Sequence, residues 1–414
     1  MHFVNSFIKG IEMAFPLDFE KILHPIGIEE FFEVYYDKKP LHIPFQSKNK
    51  DEYEVLTSLM TWEKLNQILN MTSVWSSTSL QLHLENKPIN PSLYCYPAID
   101  RNQQQILQPN STQIVTFLEQ GASLVCNDID SLLPDLSHIA NLLERTFSSK
   151  IQANLYCSWK EKQAFHSHFD THEVFVFHTV GEKRWLVYDG REVNPISHPT
   201  FLKMRNEARA EQKKGDVLLD ITLKPGDFLY IPRGQYHDAL ATSEGTVHIS
   251  FGGSPLIGLD LLSYLFEKGL SSEFLRNYIP PHKQDNKKYL NKFVKEVLSI
   301  VEDPCFETEL DRLSKSRGYP RSHFTLPSFK TNPHFHLTSE NFSIIESENE
   351  NLLKGPKGTT VPIPTEFTSV IPWMLKNAPF DFQTFSDNFL QLNHIKQEGV
   401  LNDLINMGVL RKAK

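Results

Sequence analysis

The stretch 163-QAFHSHFDTHEVFVFHTVGEKRW-185 places three histidines and an aspartate (His166, His168, Asp170 and His172) within seven positions, directly ahead of an alternating apolar run. Alternation of period two predicts a β-strand, in which every second side chain shares a face. In that geometry His166, His168 and Asp170 point the same way. A further ligand is expected from 225-PGDFLYIPRGQYHDA-239, which reads as a turn, a strand, a second turn and then His237 at or beside the next strand. Two facing strands of a barrel would bring His237 to the earlier group.

Two ligand sets compete on these residues. His168, Asp170 and His237 form a two-histidine, one-carboxylate facial triad, a set that suits non-haem Fe(II) and leaves three coordination positions open. His166, His168, Glu173 and His237 instead match the His-x-His-(four)-Glu spacing of ordinary metal-binding cupins. The plain structural reading is that these groups cap turns and solvate a barrel rim. A triad enzyme using a dicarboxylate co-substrate also needs a cation inside the barrel and nearby hydroxyls. Lys183 in GEKRW can supply the cation, Tyr156 and Ser250 can supply hydroxyls, and Asn154 can orient the co-substrate.

Composition narrows the function classes. The 414 residues are 40% hydrophobic and 11% aromatic, enough for a large core and two or three domains. The formal charge of −8 argues against a nucleic-acid binder, which normally carries excess Lys and Arg to neutralise phosphates. Cys95, Cys126, Cys157 and Cys305 are widely spaced with no Cys-x-x-Cys pair, so neither a zinc knuckle nor a disulfide framework is expected, and a reducing cytoplasm fits best. The N-terminal residues lack the apolar core of a signal peptide, and no stretch approaches a membrane span.

The texture changes along the chain. Residues 17–43 show helical spacing of apolar residues leading into a first strand. From about 75 to 255 the chain reads as short strands, such as EVFVFHTV, RWLVYDG, DVLLDITL and DFLYIPRG, divided by Gly, Pro and Asp turns. Residues 257–280 and 285–304 return to helical periodicity, and 330–365 reads as a polar linker entering short strands. The tail, 381–414, has the outline of two helices, a stop at Gly408 and a strand, as in a winged helix.

In 28-IEEFFEVYYDKKPLHI-43, 121-GASLVCNDID-130, 152-QANLYCSW-159, 168-HFDTHEVFVFHTVGEKRWLVY-188 and 226-GDFLYIPRGQYHDA-239, the chain resembles the JmjC-type, cupin-fold 2-oxoglutarate oxygenases of the ribosomal oxygenase group and their bacterial relatives. The resemblance covers most of residues 17–255. It implies an α+β chain in three parts: a double-stranded β-helix (jelly-roll, cupin) catalytic domain with N-terminal helices over 1–255, a helical dimerisation region over 256–335, and a winged-helix-like domain over 336–414. It assigns the iron ligands to His168, Asp170 and His237, the co-substrate lysine to Lys183, and the hydroxyl partners to Tyr156 and Ser250. His166 falls at a position that is not a ligand in the family. Fe(II), 2-oxoglutarate and O2 are the implied cofactor and co-substrates.

One departure bears on substrate. Residues 157–167, CSWKEKQAFHS, stand where relatives carry a loop rich in Thr, Pro and Gly, so the family's substrate contacts are not transferred. Residues 371–414 hold five Lys or Arg against four Asp or Glu, too balanced for a DNA-reading surface. The expected protein is a cytoplasmic homodimer that hydroxylates a side chain, Arg or His, of a protein or peptide, with a basic ribosomal protein suiting the acidic chain. N-demethylation is the same chemistry on a methyl group. A small-molecule or peptide-natural-product oxygenase and a metal-binding cupin without oxygenase activity are the alternatives.

Overall fold

The computed structural model describes residues 17–99, 103–159, 165–243, 245–281, 283–319, 334–346, 351–356, 358–364 and 367–413. By compactness the chain divides into residues 1–320 and 321–414.

The first unit opens with short helices. These are α1 (Phe19–Leu23), α2 (Ile28–Glu30) running on into a π turn over Phe31–Tyr35, α3 (Lys50–Ser58) and α4 (Trp62–Leu69). Strand β1 (Leu41–Ile43) lies between α2 and α3, as the sequence pattern predicts. Asn49 and Glu52 close α3 with a capping box, so two of its otherwise orphan N–H groups are satisfied locally. The next strands are β2 (Leu80–Leu84), β3 (Lys87–Pro88), β4 (Cys95–Ile99), β5 (Gln105–Pro109) and β6 (Ser123–Cys126), with α5 (Ser111–Glu119) between β5 and β6. Helix α6 (Pro134–Phe147) follows. The region expected to be strands alone is thus interrupted by helices. Leu136, Ile139, Ala140, Leu143 and Phe147 recur at helical spacing and are buried, and Pro134 starts the helix where its missing N–H costs nothing.

The barrel strands are β7 (Ser149–Ser158), β8 (Glu173–Val180), β9 (Lys183–Arg191), β10 (Val217–Leu223), β11 (Phe228–Ile231), β12 (Gln235–Ala241) and β13 (Thr246–Pro255), with α7 (Pro199–Leu202) and α8 (Glu207–Lys213) inserted between β9 and β10. Among the described residues they form two sheets. The larger has the order β1-β11-β8-β13-β7-β6-β2-β3, and the smaller has the order β10-β9-β12. The tight β8–β9 turn requires Gly181, because its φ is +70° and a Cβ there would lie 2.0 Å from Gly245 O.

Alternation decides what each face of the larger sheet meets. Ala153, Leu155, Phe175, Phe177, Phe228, Tyr230, Ile249 and Phe251 pack outward with the helices in one buried cluster. The opposite face closes on the smaller sheet, where Val174, Val176, Leu229 and Ile231 meet Trp185, Val187 and Leu223. That inner cluster is the floor on which the polar residues described below stand.

After the barrel come α9 (Gly258–Gly269), α10 (Lys283–Val301) and α11 (Cys305–Lys315). Leu262, Phe266, Leu290, Val294 and Leu298 on these helices are exposed. The second unit contains β14 (His334–Leu337), β15 (Ser343–Glu346), β16 (Asn351–Lys354), β17 (Thr360–Pro362), α12 (Val370–Asn377), β18 (Phe380–Asp381), α13 (Phe382–Asn388), α14 (His394–Asn406) and β19 (Leu410–Ala413). Phe335, Ile371, Met374, Phe380, Phe385, Leu401 and Leu404 are among the residues of its own core. The two helices, the left-handed Gly408 and the final strand lie where the tail's pattern puts them. None of the described helices is long and apolar enough to cross a membrane.

Candidate metal centre

His168 and His237 meet through the backbone. Each donates its N–H to the other's carbonyl, at 3.0 Å from His168 and 2.8 Å from His237, forming an isolated antiparallel bridge. The sequence pattern brings His237 to His168 from a facing strand without saying how the two meet. They are hydrogen-bonded neighbours on adjacent segments, with the ring centroids 4.6 Å apart. Gly234 anchors the same junction by donating its N–H to Asp170 O at 2.9 Å, and its own carbonyl accepts from Glu192 N. With φ at +85° and a Cβ position only 2.2 Å from Glu192 O, only glycine fits there without strain.

Ligand atoms of His168, Asp170 and His237 all lie within 4.8 Å of one another, the only such group of three or more His, Cys, Asp or Glu among the described residues. Both imidazoles are oriented for coordination. Nδ1–H of His168 donates to His166 O at 2.9 Å, and Nδ1–H of His237 donates to Gln235 O at 3.0 Å, which leaves both Nε2 lone pairs free. Burial, with the neighbouring His237, lowers the pKa of His168 to about 3, so it stays neutral and ligand-ready. Burial by itself would push the Asp170 carboxyl up, but the Arg205 guanidinium and the surrounding imidazoles outweigh it and hold the group below the usual carboxylate range.

The other histidine-rich set does not assemble. Residues 165–172 form no continuous strand, so the alternation that would align His166 with His168 does not apply. His166 lines a separate surface cleft with Ser167, Glu211 and Asp238. The Glu173 carboxylate is buried and accepts from Tyr230 Oη and Arg233 N.

The remaining sequence candidates share the barrel interior because of strand register. His237 pairs with Val187 and Ala241 with Lys183, so His237, Lys183 and Trp185 lie on one face of the smaller sheet. Across the barrel, Ser250 pairs with Asn154 and with Val176, and His248 pairs with Tyr156 and with His178. The Lys183 side chain is buried, and its Nζ donates to Ser158 Oγ at 3.3 Å, which in turn bonds Ser123 Oγ at 3.0 Å. Among the described residues no carboxylate pairs with this amine, and burial lowers its pKa to about 8. Tyr156 stacks on His248 at 5.0 Å and 6°. Burial, followed by the charge of Asp170, raises its phenol to about 12, so it remains a proton donor. Asn154 Oδ1 accepts from Asp128 N at 3.3 Å. Lys160–Ala164, within the atypical 157–167 segment, lie outside the described residues.

Four residues join the site without having been singled out by their types: Arg205, Trp185, His178 and His248. Arg205 Nη2 donates to Asp170 Oδ1 at 2.9 Å. His248 is edge-on to Trp185 at 5.4 Å and 6.3 Å from His178. Trp185 Nε1, His178 Nδ1 and His248 Nδ1 are buried with no partner among the described residues. Buried polar atoms are normally paired, so an interior with an indole N–H, two imidazoles and a lysine lacking a counter-carboxylate is built for a polar ligand. The indole N–H of Trp185 and the Lys183 ammonium are donors with no carboxylate partner among the described residues, which favours an anion, and a carboxylate of 2-oxoglutarate fits that chemistry. The nitrogen–oxygen donor set of the triad likewise fits Fe(II).

Comparison with known proteins agrees with this architecture. Residues 128–258 match the JmjC domain. A bifunctional lysine-specific demethylase and histidyl-hydroxylase NO66 from Aedes aegypti is 27% identical over 229 residues, 53% of this chain and 32% of that protein. Ribosomal oxygenase 1 from Danio rerio is 26% identical over 227 residues, 53% of this chain and 37% of that protein. The chain therefore spans about a third of the length of these relatives. In fold it is similar to YcfD, a ribosomal oxygenase from Escherichia coli solved in complex with cobalt and 2-oxoglutarate, with a TM-score of 0.52, 14% identity, and coverage of 93% of this chain and 98% of that one.

Proposed function

We propose, for a chain that carries a JmjC domain of the cupin fold, that it is an Fe(II)- and 2-oxoglutarate-dependent dioxygenase hydroxylating a His or Arg side chain of a protein, with a basic ribosomal protein as the favoured substrate. The observation that carries this is the placement of the His168–Asp170–His237 group at the mouth of a barrel whose interior holds Lys183 without a described carboxylate partner. A metal-binding cupin with no co-substrate has no use for that buried cation.

In this reading His168, Asp170 and His237 hold the iron. Lys183 binds the far carboxylate of 2-oxoglutarate, and Tyr156, Asn154 and Ser250 line its path. Iron, 2-oxoglutarate and O2 together supply the oxidising power that converts a substrate C–H to C–OH while 2-oxoglutarate becomes succinate and CO2. The chain's own task is to hold these groups in register and keep water away from the apolar floor of Val174, Val176, Val187 and Leu229. N-demethylation would use the same residues on an N-methyl group.

The names of the relatives support a ribosomal or histidyl substrate, and the formal charge of −8 favours a cationic partner. The exposed apolar side chains of α9 and α10 support a homodimer, and the helices and strands of the second unit support a winged-helix module of structural role.

The test is the intact mass of ribosomal proteins from a strain lacking the gene and from its parent. An added oxygen that disappears with the gene, and returns with the wild-type copy but not with His168→Ala, is the expected result. Unchanged masses across all ribosomal proteins would overturn the ribosomal substrate.

A further inference from the structure

The carboxylate of Asp170 has its two oxygens engaged in different directions. Oδ2 points toward His237, 3.7 Å from its Nε2, while Oδ1 accepts from Arg205 Nη2 at 2.9 Å. One oxygen therefore faces the metal group and the other is occupied by a guanidinium.

Arg205 is held to this position from several sides. Its backbone N–H donates to Leu202 O at the end of α7, and the next residue, Asn206, caps α8 by accepting from Arg209 N. Helix α8 is anchored in turn. Ala210 is buried against Phe169, Tyr188 and Tyr236, and Arg209 pairs with Glu192 at 2.7 Å. Phe169 lies between His168 and Asp170 and is fully buried. The β9–β10 insertion thus grips the ligand loop twice, beneath through Phe169 and above through Asp170.

From this we infer that Arg205 is a positioning residue that keeps Asp170 a one-oxygen ligand. The inference rests on reading His168, Asp170 and His237 as the metal site. A carboxylate free to use both oxygens would occupy two positions on the ion, leaving two of six open beside the two histidines. A co-substrate that binds through two oxygens would then fill the ion and leave no place for O2. With Oδ1 committed to Arg205, three positions stay open. The guanidinium is suited to this because its planar fork donates directionally and never loses its charge.

The experiment uses the full-length chain titrated with Co(II), whose visible spectrum reports coordination number, in wild type, Arg205→Ala, Arg205→Lys, Arg209→Ala and His168→Ala. Circular dichroism and melting temperature confirm that each variant is folded. Arg205→Ala is expected to bind Co(II) roughly tenfold to a hundredfold more weakly, as typical for loss of a ligand's outer partner, with an altered visible spectrum and weaker 2-oxoglutarate binding to the cobalt form. Arg205→Lys should recover part of each, and Arg209→Ala, which loosens the anchoring of α8 but leaves the Arg205 guanidinium present, should lose clearly less than Arg205→Ala. Wild-type affinity and spectrum in Arg205→Ala would overturn the inference. Equal losses in Arg209→Ala would also overturn it, because the insertion would then act only as a scaffold. Failure of the wild-type chain to bind Co(II), or undiminished binding by His168→Ala, would overturn the metal-site reading itself.

Discussion

His168 and His237, 69 positions apart in sequence, exchange both of their backbone hydrogen bonds, so the metal group is built into the sheet's own pairing and does not depend on side-chain packing alone. Because paired residues project to the same face, the two imidazoles have to stand side by side. Asp170 is tied to the same junction through its carbonyl and Gly234 N–H.

Gly234→Ala should therefore damage the site without touching a ligand. A Cβ would force the carbonyl of Glu192 away and impose a left-handed conformation that costs about 1–2 kcal/mol or more. Thermal denaturation should show a lower Tm, and metal titration a weaker site. An unchanged Tm and unchanged metal affinity would contradict the account.

The ligand set itself separates by substitution. Asp170→Ala should abolish metal-dependent turnover, while His166→Ala should keep most of it. Glu173→Ala should retain the metal but lose stability, by about 1–3 kcal/mol, because it leaves Tyr230 Oη without its buried acceptor. Metal analysis beside denaturant melts checks all three. Loss of metal in Glu173→Ala with retention in Asp170→Ala would favour the ordinary cupin set.

Lys183 predicts a pH dependence with a definite sign. Its amine titrates near 8 in the folded chain, so affinity for 2-oxoglutarate should be full below that value and decline as the pH rises through it. Lys183→Ala should weaken binding by about 1.5–3 kcal/mol, or roughly 10- to 150-fold in Kd. Isothermal titration with the anaerobic metal-loaded protein across pH 6.5–9.5, a range of about three units around that midpoint, follows both effects. A flat profile would remove Lys183 from the carboxylate site.

The same lysine burdens the ligand-free fold. With the folded pKa depressed from the usual 10.5 to about 8, the unfolded chain binds more protons between those values, so stability rises with pH across that window. At neutral pH the buried charge costs up to about 3 kcal/mol. Lys183→Met, similar in shape and uncharged, should raise the Tm of the ligand-free protein at pH 7 while weakening 2-oxoglutarate binding as Lys183→Ala does. A lower Tm would show that Ser158 and its surroundings compensate the charge fully.

The helices after the barrel carry the assembly prediction. Leu262 is 59% exposed and Phe266 68% exposed, both on α9. Replacing both with Glu should convert a dimer to a monomer in sedimentation, leaving metal binding intact. A wild-type chain that sediments as a monomer at micromolar concentration would contradict the dimer.

Strand positions and the turns at Gly181 and Gly234 were legible in the sequence because each depends on alternation or backbone chirality within a few residues. Helix α6 was also written locally, but its surroundings of strand-like segments masked it. The orientation of His166 was not legible, since it required knowing that residues 165–172 bend away from strand geometry. Arg205 was beyond local reading altogether: nothing around it distinguishes it from a solvated arginine, and only the burial of Phe169 and Ala210 in one cluster brings its insertion onto Asp170. His178, Trp185 and His248 resemble ordinary strand residues, and the interior they share exists only once the register of β8, β9 and β13 is set. Residue types and short-range periodicity determine what each segment can become, whereas the polar atoms of this barrel that have no partner among the described residues owe their burial to contacts between segments far apart in the chain, which only the closed tertiary structure brings together.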